Sequence, residues 1–120
     1  MPLIKLIAET WRNKSMGRTL MNLEVQKHVE LQGVVLDLGG GSDPSYWRFI
    51  DKRGSGVKVV KIDIVSEYSP HIIASLEKEL PIKSDSVDCV LLFNVLEHIY
   101  AHHRLVKEIH RILRSSGKFY

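Results

Sequence analysis

Three consecutive glycines, Gly39-Gly40-Gly41, directly follow a short apolar run at residues 34–38. Glycine has no Cβ atom and tolerates positive φ, so such a loop lets a ligand approach the backbone closely. The free N–H groups of the loop, together with the N-terminus of a following helix, favour a negatively charged group. Taken alone, the loop is equally consistent with a tight turn between a strand and a helix.

Asp63 makes a ligand site the better interpretation. It ends a second apolar run, residues 57–63, and follows Gly41 by 22 residues. A carboxylate about 20 residues beyond a glycine loop is typical of sites that bind a ribose. The two carboxylate oxygens can accept hydrogen bonds from both ribose hydroxyls. The spacing therefore predicts a site for a ligand that contains a nucleoside.

Two further residues narrow the choice of nucleoside. Pro44 occupies the third position of the dinucleotide pattern Gly-x-Gly-x-x-Gly. The missing glycine normally permits close packing of helix on strand, so its absence disfavours NAD and FAD. Asp37, two residues before Gly39, would repel a pyrophosphate but could face the cationic end of an amino acid. S-adenosylmethionine (SAM) has such an end, with an ammonium and a sulfonium group.

Alternating helices and strands must position these residues. Apolar spacing predicts helices over residues 3–13, 18–31, 44–52 and 101–114. Apolar and β-branched runs predict strands over residues 34–38, 57–63, 71–74 and 87–93, and from residue 118 onward after a break at 115–117. This alternation predicts an α/β fold with a parallel sheet of about five strands and flanking helices. Ligands of such sheets bind beyond the carboxyl ends of the strands.

Several stretches resemble the class I SAM-dependent methyltransferases. Residues 34–42 (VVLDLGGGS) are similar to the first motif of that family, and residues 59–64 (VVKIDI) to its acidic second motif. Residues 79–99, with Leu-Pro…Asp-Ser-Val-Asp and Val-Leu-Glu-His, resemble the segment around its fourth strand in the small-molecule branch. The resemblance implies a Rossmann-like SAM-binding core over residues 33–120. It does not include residues 1–32, which form a separate N-terminal helical segment in this interpretation.

The resemblance also implies which residues hold the cofactor. They are Asp37, Gly39, Gly41, Asp63, Ile64, Ser75, Leu76 and Asn94. Gly39, Gly41 and Asn94 would hold the methionine part of SAM, with Asp37 near its ammonium. Asp63 would bind the ribose hydroxyls, Ile64 would pack on the adenine face, and Ser75 and Leu76 would lie at the adenine edge. Ser75 departs from the family, which usually has an Asp there as acceptor for the adenine amino group.

The histidines after the fourth predicted strand are further candidates for chemistry, but no catalytic residue is predicted. Histidine is the side chain most often used as a general base, so His98 could act as one. In the family resemblance, however, Glu97 and His98 have structural roles. His98 and His102 would share a helix face with His103 nearby, but no fourth ligand is present, so we expect solvated histidines and no metal site.

The predicted function is that of a SAM-dependent methyltransferase domain acting on a small-molecule acceptor, with S-adenosylhomocysteine (SAH) as the product. The family's last two strands, which shape the acceptor pocket, are not found in the 120 residues. We therefore expect either a fragment of a longer enzyme or a short form that dimerises through its open sheet edge. The alternative function is a non-catalytic SAM-binding or dimerisation module. A nicotinamide-dependent oxidoreductase is disfavoured by Pro44.

Composition limits the other partners. The formal charge of +3, without a basic run of five residues, gives no support for nucleic-acid binding. The apolar start of the chain is too short for a membrane span and lacks the features of a signal peptide. Cys89 is the single cysteine, so an intrachain disulfide is excluded, and its apolar surroundings predict a buried, inert thiol. We expect a cytoplasmic protein that binds neither nucleic acid nor membrane.

Overall fold

The computed structural model describes residues 3–4, 7–8, 16–41, 44–93 and 95–120. Most of the helix predicted over residues 3–13 lies outside the described residues, although residues 3–4 and 7–8 are helical. The longer helices in the described part are α1 (Met16–His28) and α2 (His102–Ile112). The strands are β1 (Glu30–Leu31), β2 (Val34–Leu38), β3 (Lys52–Arg53), β4 (Lys58–Asp63), β5 (Ile72–Ile73), β6 (Val87–Leu91) and β7 (Leu113–Phe119). Short 3-10 helices cover Ser45–Phe49, Ser66–Tyr68 and Leu96–His98.

Five of the strands form one parallel sheet in the order β5-β4-β2-β6-β7. The central strand, β2, pairs with β4 from Val34↔Lys58 onward and with β6 from Val35↔Cys89 onward. Its residues are almost continuously apolar because both faces of a parallel sheet are covered. The predicted α/β fold with a parallel sheet of about five strands is confirmed.

Two apolar clusters cover the two faces of the sheet. Successive residues of a strand point to opposite faces, and accordingly Val35 belongs to one cluster and Leu36 to the other. α2 packs on the Leu36 face through its buried residues, which are Leu105, Ile109 and Ile112. α1 and the residue that follows it pack on the Val35 face through Val25 and Val29. Both faces of the sheet are therefore covered, and a ligand would have to bind at its edges or at the ends of its strands.

The strand order reverses at β2. The next strand of the sheet along the chain, β4, lies on one side of β2, and β6 lies on the other. Because all these strands are parallel, their carboxyl ends meet at one edge of the sheet. Ligands bind at such a reversal point in open α/β sheets. The loops at residues 39–41 and 64–68 follow β2 and β4 at this edge.

The helix predicted over residues 44–52 is wrong in its type and extent. Only Ser45–Phe49 are helical, in a 3-10 conformation preceded by Pro44. Such helices rarely continue beyond one turn. Ile50 is already extended and buried, and Lys52–Arg53 form β3, which pairs in parallel with β1.

Two other predicted boundaries also differ from the structure. The helix predicted to reach residue 31 ends at His28, because Glu30–Leu31 pair with β3 as β1. The last strand begins at Leu113 and not at residue 118, since Leu113 pairs with Val87 immediately after α2. The next pair is Cys89↔Lys118, so residues 114–117 bulge out within the strand. The residues expected to separate helix from strand therefore lie inside β7.

The fold also bears on the membrane prediction. In the part of the chain that the structure describes, neither α1 nor α2 has the length and apolar character needed to cross a membrane.

Candidate cofactor-binding site

Two adjoining cavities open at the carboxyl edge of the sheet. The first, the glycine lobe, has a volume of about 390 Å³, and its lining includes Gly39, Gly40, Gly41, Tyr46, Tyr68 and Phe93. The second, the Asp63 lobe, has a volume of about 450 Å³, and its lining includes Gly39, Asp63, Ile64, Tyr68, Ser75 and Leu76. Gly39 and Tyr68 line both lobes. Because they share these two residues, the lobes lie side by side, and together they are called the cleft.

The glycine loop presents open backbone to this cleft. Gly41 has a φ of 76°, a conformation that side chains rarely adopt. Apart from its chain neighbours, a Cβ atom built on Gly41 would meet no atom of the described residues within 4 Å, which leaves space beside it for a ligand. The N–H of Gly41 donates a hydrogen bond to Oδ2 of Asp63 at 3.2 Å. The loop after β2 and the carboxylate at the end of β4 are thus in direct contact.

Asp63 is buried, and backbone groups hold its carboxylate. Its Oδ1 accepts a hydrogen bond from the N–H of Val65 at 3.0 Å, while Oδ2 accepts that of Gly41. Each carboxylate oxygen can accept more than one hydrogen bond. Asp63 can therefore accept bonds from a ribose diol while it keeps both backbone contacts.

Ile64 is an exposed apolar residue in the Asp63 lobe. It follows Asp63 directly and is 63% exposed. Leu76, which is buried, and Ser75 lie in the lining of the same lobe. An exposed isoleucine and a buried leucine thus supply apolar surface to this lobe, which a flat aromatic base could cover.

Glu77 fixes the loop that carries Ser75 and Leu76. Its Oε1 accepts a hydrogen bond from the N–H of Tyr100 at 2.7 Å, and its Oε2 accepts that of Ala101 at 3.0 Å. These N–H groups lie at the start of α2, where backbone donors otherwise lack partners. The Oγ of Ser75 in turn accepts the N–H of Glu77 at 3.1 Å. The Ser75 loop is therefore attached to the two residues that directly precede α2.

Asp37 lies behind the glycine loop. It is 1% exposed, and its carboxylate accepts hydrogen bonds from the Tyr46 hydroxyl at 2.6 Å and from the Trp47 indole N–H at 2.9 Å. A Cβ atom on Gly40 would lie within 3 Å of both carboxylate oxygens, so a side chain there would displace the Asp37 carboxylate. Burial raises the pKa of the Asp37 carboxyl above its usual value, and the two hydrogen bonds partly oppose that rise.

The structure places most of the predicted site residues in the lining of the two lobes. The Asp63 lobe brings together Gly39, Asp63, Ile64, Ser75 and Leu76, and the glycine lobe contains Gly39 and Gly41. Asp37 is in contact with the loop from behind, although it does not belong to the described lining of either lobe. Asn94 lies outside the described residues.

His98, considered above as a general base, lines the Asp63 lobe. Its side chain is largely exposed and lies 3.5 Å from a carboxylate oxygen of Glu97. Ile99 lines the same lobe. His98 does not belong to the described lining of the glycine lobe.

Sequence reasoning missed the aromatic residues of the site. Tyr46 and Trp47 bind Asp37, Phe93 packs edge-on against Tyr46 at 4.7 Å between ring centroids, and Tyr68 joins the two lobes. These contacts depend on the 3-10 helices at Ser45–Phe49 and Ser66–Tyr68, which no apolar periodicity marks. The Tyr-Trp pair a few residues after the glycine loop was the one available signal for the Asp37 partners.

Comparison with known families identifies the fold and its family. Residues 36–120 match the family model described as "Methyltransferase domain". This chain belongs to the methyltransferase domain family. The match confirms the resemblance to class I SAM-dependent methyltransferases and starts within β2, so it includes the whole cleft except the residues contributed by α1. A search of curated proteins found no match.

Solved structures share the fold of this methyltransferase domain. A protein assigned as a methyltransferase from Haloferax volcanii, in complex with the Trm112 methyltransferase activator, has 25% identity and a TM-score of 0.65, with 80% of this chain and 48% of that chain covered. A SAM-dependent methyltransferase from Aquifex aeolicus has 19% identity and a TM-score of 0.61, with 78% and 58% covered. The methyltransferase CalH in complex with SAH has 19% identity and a TM-score of 0.55, with 83% and 34% covered. The chain thus spans between a third and three fifths of the length of these structures.

Proposed function

We propose that this methyltransferase domain binds SAM in the two lobes and serves methyl transfer to a small-molecule acceptor, with release of SAH. The observation that carries the proposal is the direct contact between the glycine loop and Asp63, beside the exposed Ile64. A carboxylate at the end of a strand can bind the ribose of a nucleoside, and the open backbone next to it can hold an amino-acid tail. The SAH found in the CalH structure is a ligand of this kind.

The residues of the cleft divide the recognition between the lobes. In the Asp63 lobe, Asp63 would accept the ribose hydroxyls and Ile64 would cover one face of the adenine, with Ser75 and Leu76 at its edge. In the glycine lobe, the backbone of Gly39 and Gly41 would hold the methionine part. Asn94 is proposed to contribute near the same part on the family resemblance alone.

The charge of Asp37 supports the same orientation. Its carboxylate lies directly behind Gly40, where it would favour a cationic ammonium in the glycine lobe and disfavour a pyrophosphate. When bound, SAM supplies an electrophilic methyl group on its sulfonium. The contribution of this chain is to hold the donor in one orientation, since methyl transfer depends chiefly on proximity and alignment with the acceptor. No general base is assigned.

Calorimetric titration with SAM, SAH and NAD tests the cofactor assignment. We expect binding of SAM and SAH but not of NAD. Asp63→Ala should weaken SAM binding by about 1–3 kcal/mol, because the ribose hydroxyls lose their acceptor. The matched control is Asp51→Ala, which removes an exposed carboxylate whose side-chain contact is a 3.4 Å bond from Gln26. Circular dichroism would verify that both variants fold.

Two results would contradict the proposal. If the wild type binds neither SAM nor SAH, the cofactor assignment fails. If Asp63→Ala binds SAM as tightly as wild type, the ribose partner is misplaced. Transfer of a labelled methyl group to a panel of small molecules then separates the enzyme from a non-catalytic SAM-binding module, for which SAM would bind without turnover.

Partners and location are extensions of this proposal. The H. volcanii protein is in complex with an activator, so a protein partner is a reasonable proposal for this chain as well. Pairing of two copies through β7 stays a prediction, and the bulge at residues 114–117 opposes it because bulged strands pair poorly at an edge. We also propose a cytoplasmic location.

Cys89 is free and buried as predicted, and burial raises the pKa of its thiol.

A further inference from the structure

Tyr68 lies at the junction of the two lobes. In the described part of the chain it shares this place only with Gly39, which has no side chain. Tyr68 is 42% exposed, so much of its side chain is free to contact a ligand. The family resemblance assigned this residue no role, and it lies outside the stretches that carried the resemblance. Among the described residues, Tyr68 is therefore the one with a side chain that can contact a ligand spanning both lobes.

Hydrogen bonds tie the position of Tyr68 to that of Asp63. The Asp63 carboxylate accepts the N–H of Val65 at 3.0 Å, and the carbonyl of Val65 accepts the N–H of Tyr68 at 3.2 Å. The turn is closed by the N–H of Ser69, which donates to the carbonyl of Ser66 at 3.0 Å. Ser69 has a φ of 52°, in the left-handed region where a helical turn often ends. The Asp63 carboxylate and the backbone that carries the Tyr68 ring thus belong to one hydrogen-bonded unit.

The covalent structure of SAM determines what would meet Tyr68. Its sulfur joins the ribose to the amino-acid part. If the ribose lies at Asp63 and the amino-acid part at the glycine loop, the sulfur lies between them, at the junction that Tyr68 and Gly39 line. The sulfur of SAM is a cation, whereas that of SAH is a neutral thioether. The face of an aromatic ring attracts a ligand cation within about 6 Å of its centroid.

We propose that Tyr68 recognises the sulfonium charge and so favours SAM over SAH. The inference rests on the proposed binding of SAM in the cleft, and it adds a residue that sets the preference between methyl donor and product. Asp37 and Asp63 also favour a positive ligand. Because both carboxylates remain when Tyr68 is changed, the ratio of the two affinities isolates the contribution of the ring.

The test is the ratio of the dissociation constants of SAH and SAM, measured by calorimetry. Tyr68→Leu keeps an apolar side chain but removes the ring, and the ratio should fall about two- to fivefold, as expected for the loss of a cation–π contact of about 0.5–1 kcal/mol. Tyr68→Phe keeps the ring, so its ratio should stay close to that of wild type. The matched control is Tyr100→Leu, because Tyr100 is 95% exposed and lies outside the described lining of both lobes.

The possible outcomes are distinct. A lower ratio in Tyr68→Leu alone supports recognition of the charge. An equal loss of affinity for SAM and SAH would show that the ring acts only as a wall of the cleft, and unchanged affinities would show that it makes no contact; either result overturns the inference while the proposed function stands. If the wild type binds neither ligand, the proposed function fails and this inference fails with it.

Discussion

Asp37 and Asp63 lie on neighbouring strands at the same edge of the sheet, yet their surroundings differ. The carboxylate of Asp37 is enclosed by the side chains of Tyr46 and Trp47. The carboxylate of Asp63 is held by backbone N–H groups of its own turn and of the glycine loop, and it lines a cavity. The first is therefore part of the protein interior, and the second is available to a ligand.

This difference teaches that one site can contain two kinds of acidic residue. A buried carboxylate with side-chain donors fixes the loop in front of it, and its removal leaves those donors without a partner. A carboxylate held by backbone donors keeps acceptor capacity for hydroxyl groups. We therefore expect substitutions at Asp37 to act mainly on stability and substitutions at Asp63 mainly on cofactor affinity.

The largest effect is expected for Asp37→Ala. The variant leaves the hydroxyl of Tyr46 and the indole N–H of Trp47 without their acceptor and opens a small cavity, so the free energy of unfolding should fall by about 2–3 kcal/mol. Urea denaturation followed by circular dichroism measures this change. Asp63→Ala serves as the comparison and should cost less stability. Equal losses in the two variants would remove the distinction between the carboxylates.

A smaller effect is expected in the pH dependence of the free energy of unfolding, because Asp37 titrates. Burial raises the pKa of Asp37 in the folded protein above the usual value of 3.8, so folded Asp37 binds its proton more tightly than unfolded Asp37 does. Stability gained from the protonated form is full below pH 3.8 and is lost as the pH rises through the raised pKa. Asp37→Asn does not titrate. The difference in unfolding free energy between wild type and Asp37→Asn should therefore fall as the pH rises.

Urea denaturation of both proteins at a series of pH values from 3 upward would measure that difference. Carboxyl groups remote from Asp37 contribute alike in the two proteins and cancel, whereas the neighbouring Asp63 interacts electrostatically with Asp37. A difference that is constant or grows with pH would mean that hydrogen bonds from Tyr46 and Trp47 outweigh burial at Asp37.

Most of the fold could be predicted because its strands are strongly apolar. β2, β4 and β6 lie within the predicted runs at 34–38, 57–63 and 87–93, since buried parallel strands need such continuous runs. The errors arose where pairing or burial overrides local preference. Leu113 continues the apolar stripe of α2 in the sequence, but its pairing with Val87 makes it the first residue of β7.

The candidate site was predictable only where its residues carry a chemical signature. A glycine loop alone could be a simple turn, but its spacing to a carboxylate at the end of the next apolar run indicates a nucleoside site, so Gly41 and Asp63 could be chosen together. Tyr46 and Trp47 could not, because an aromatic residue in a sequence resembles any other core residue until its hydrogen-bond partner is known. Glu77 could not be predicted either, because its hydrogen-bond partners, the N–H groups of Tyr100 and Ala101, lie more than 20 residues further along the chain.

The smallest expected effect tests whether exposure within the Asp63 lobe has a function. Ile64 and Ile73 are 63% and 62% exposed, but only Ile64 lies in the lining of that lobe. Because both side chains are largely in contact with solvent, Ile64→Ala and Ile73→Ala should each change the free energy of unfolding by less than about 0.5 kcal/mol. If adenine covers Ile64, its truncation exposes apolar surface of the bound ligand and should weaken SAM binding by about 1 kcal/mol, roughly fivefold. Ile73→Ala should bind SAM as wild type does. Calorimetry on the two variants measures the contrast, and equal affinities would mean that the base lies elsewhere in the cleft.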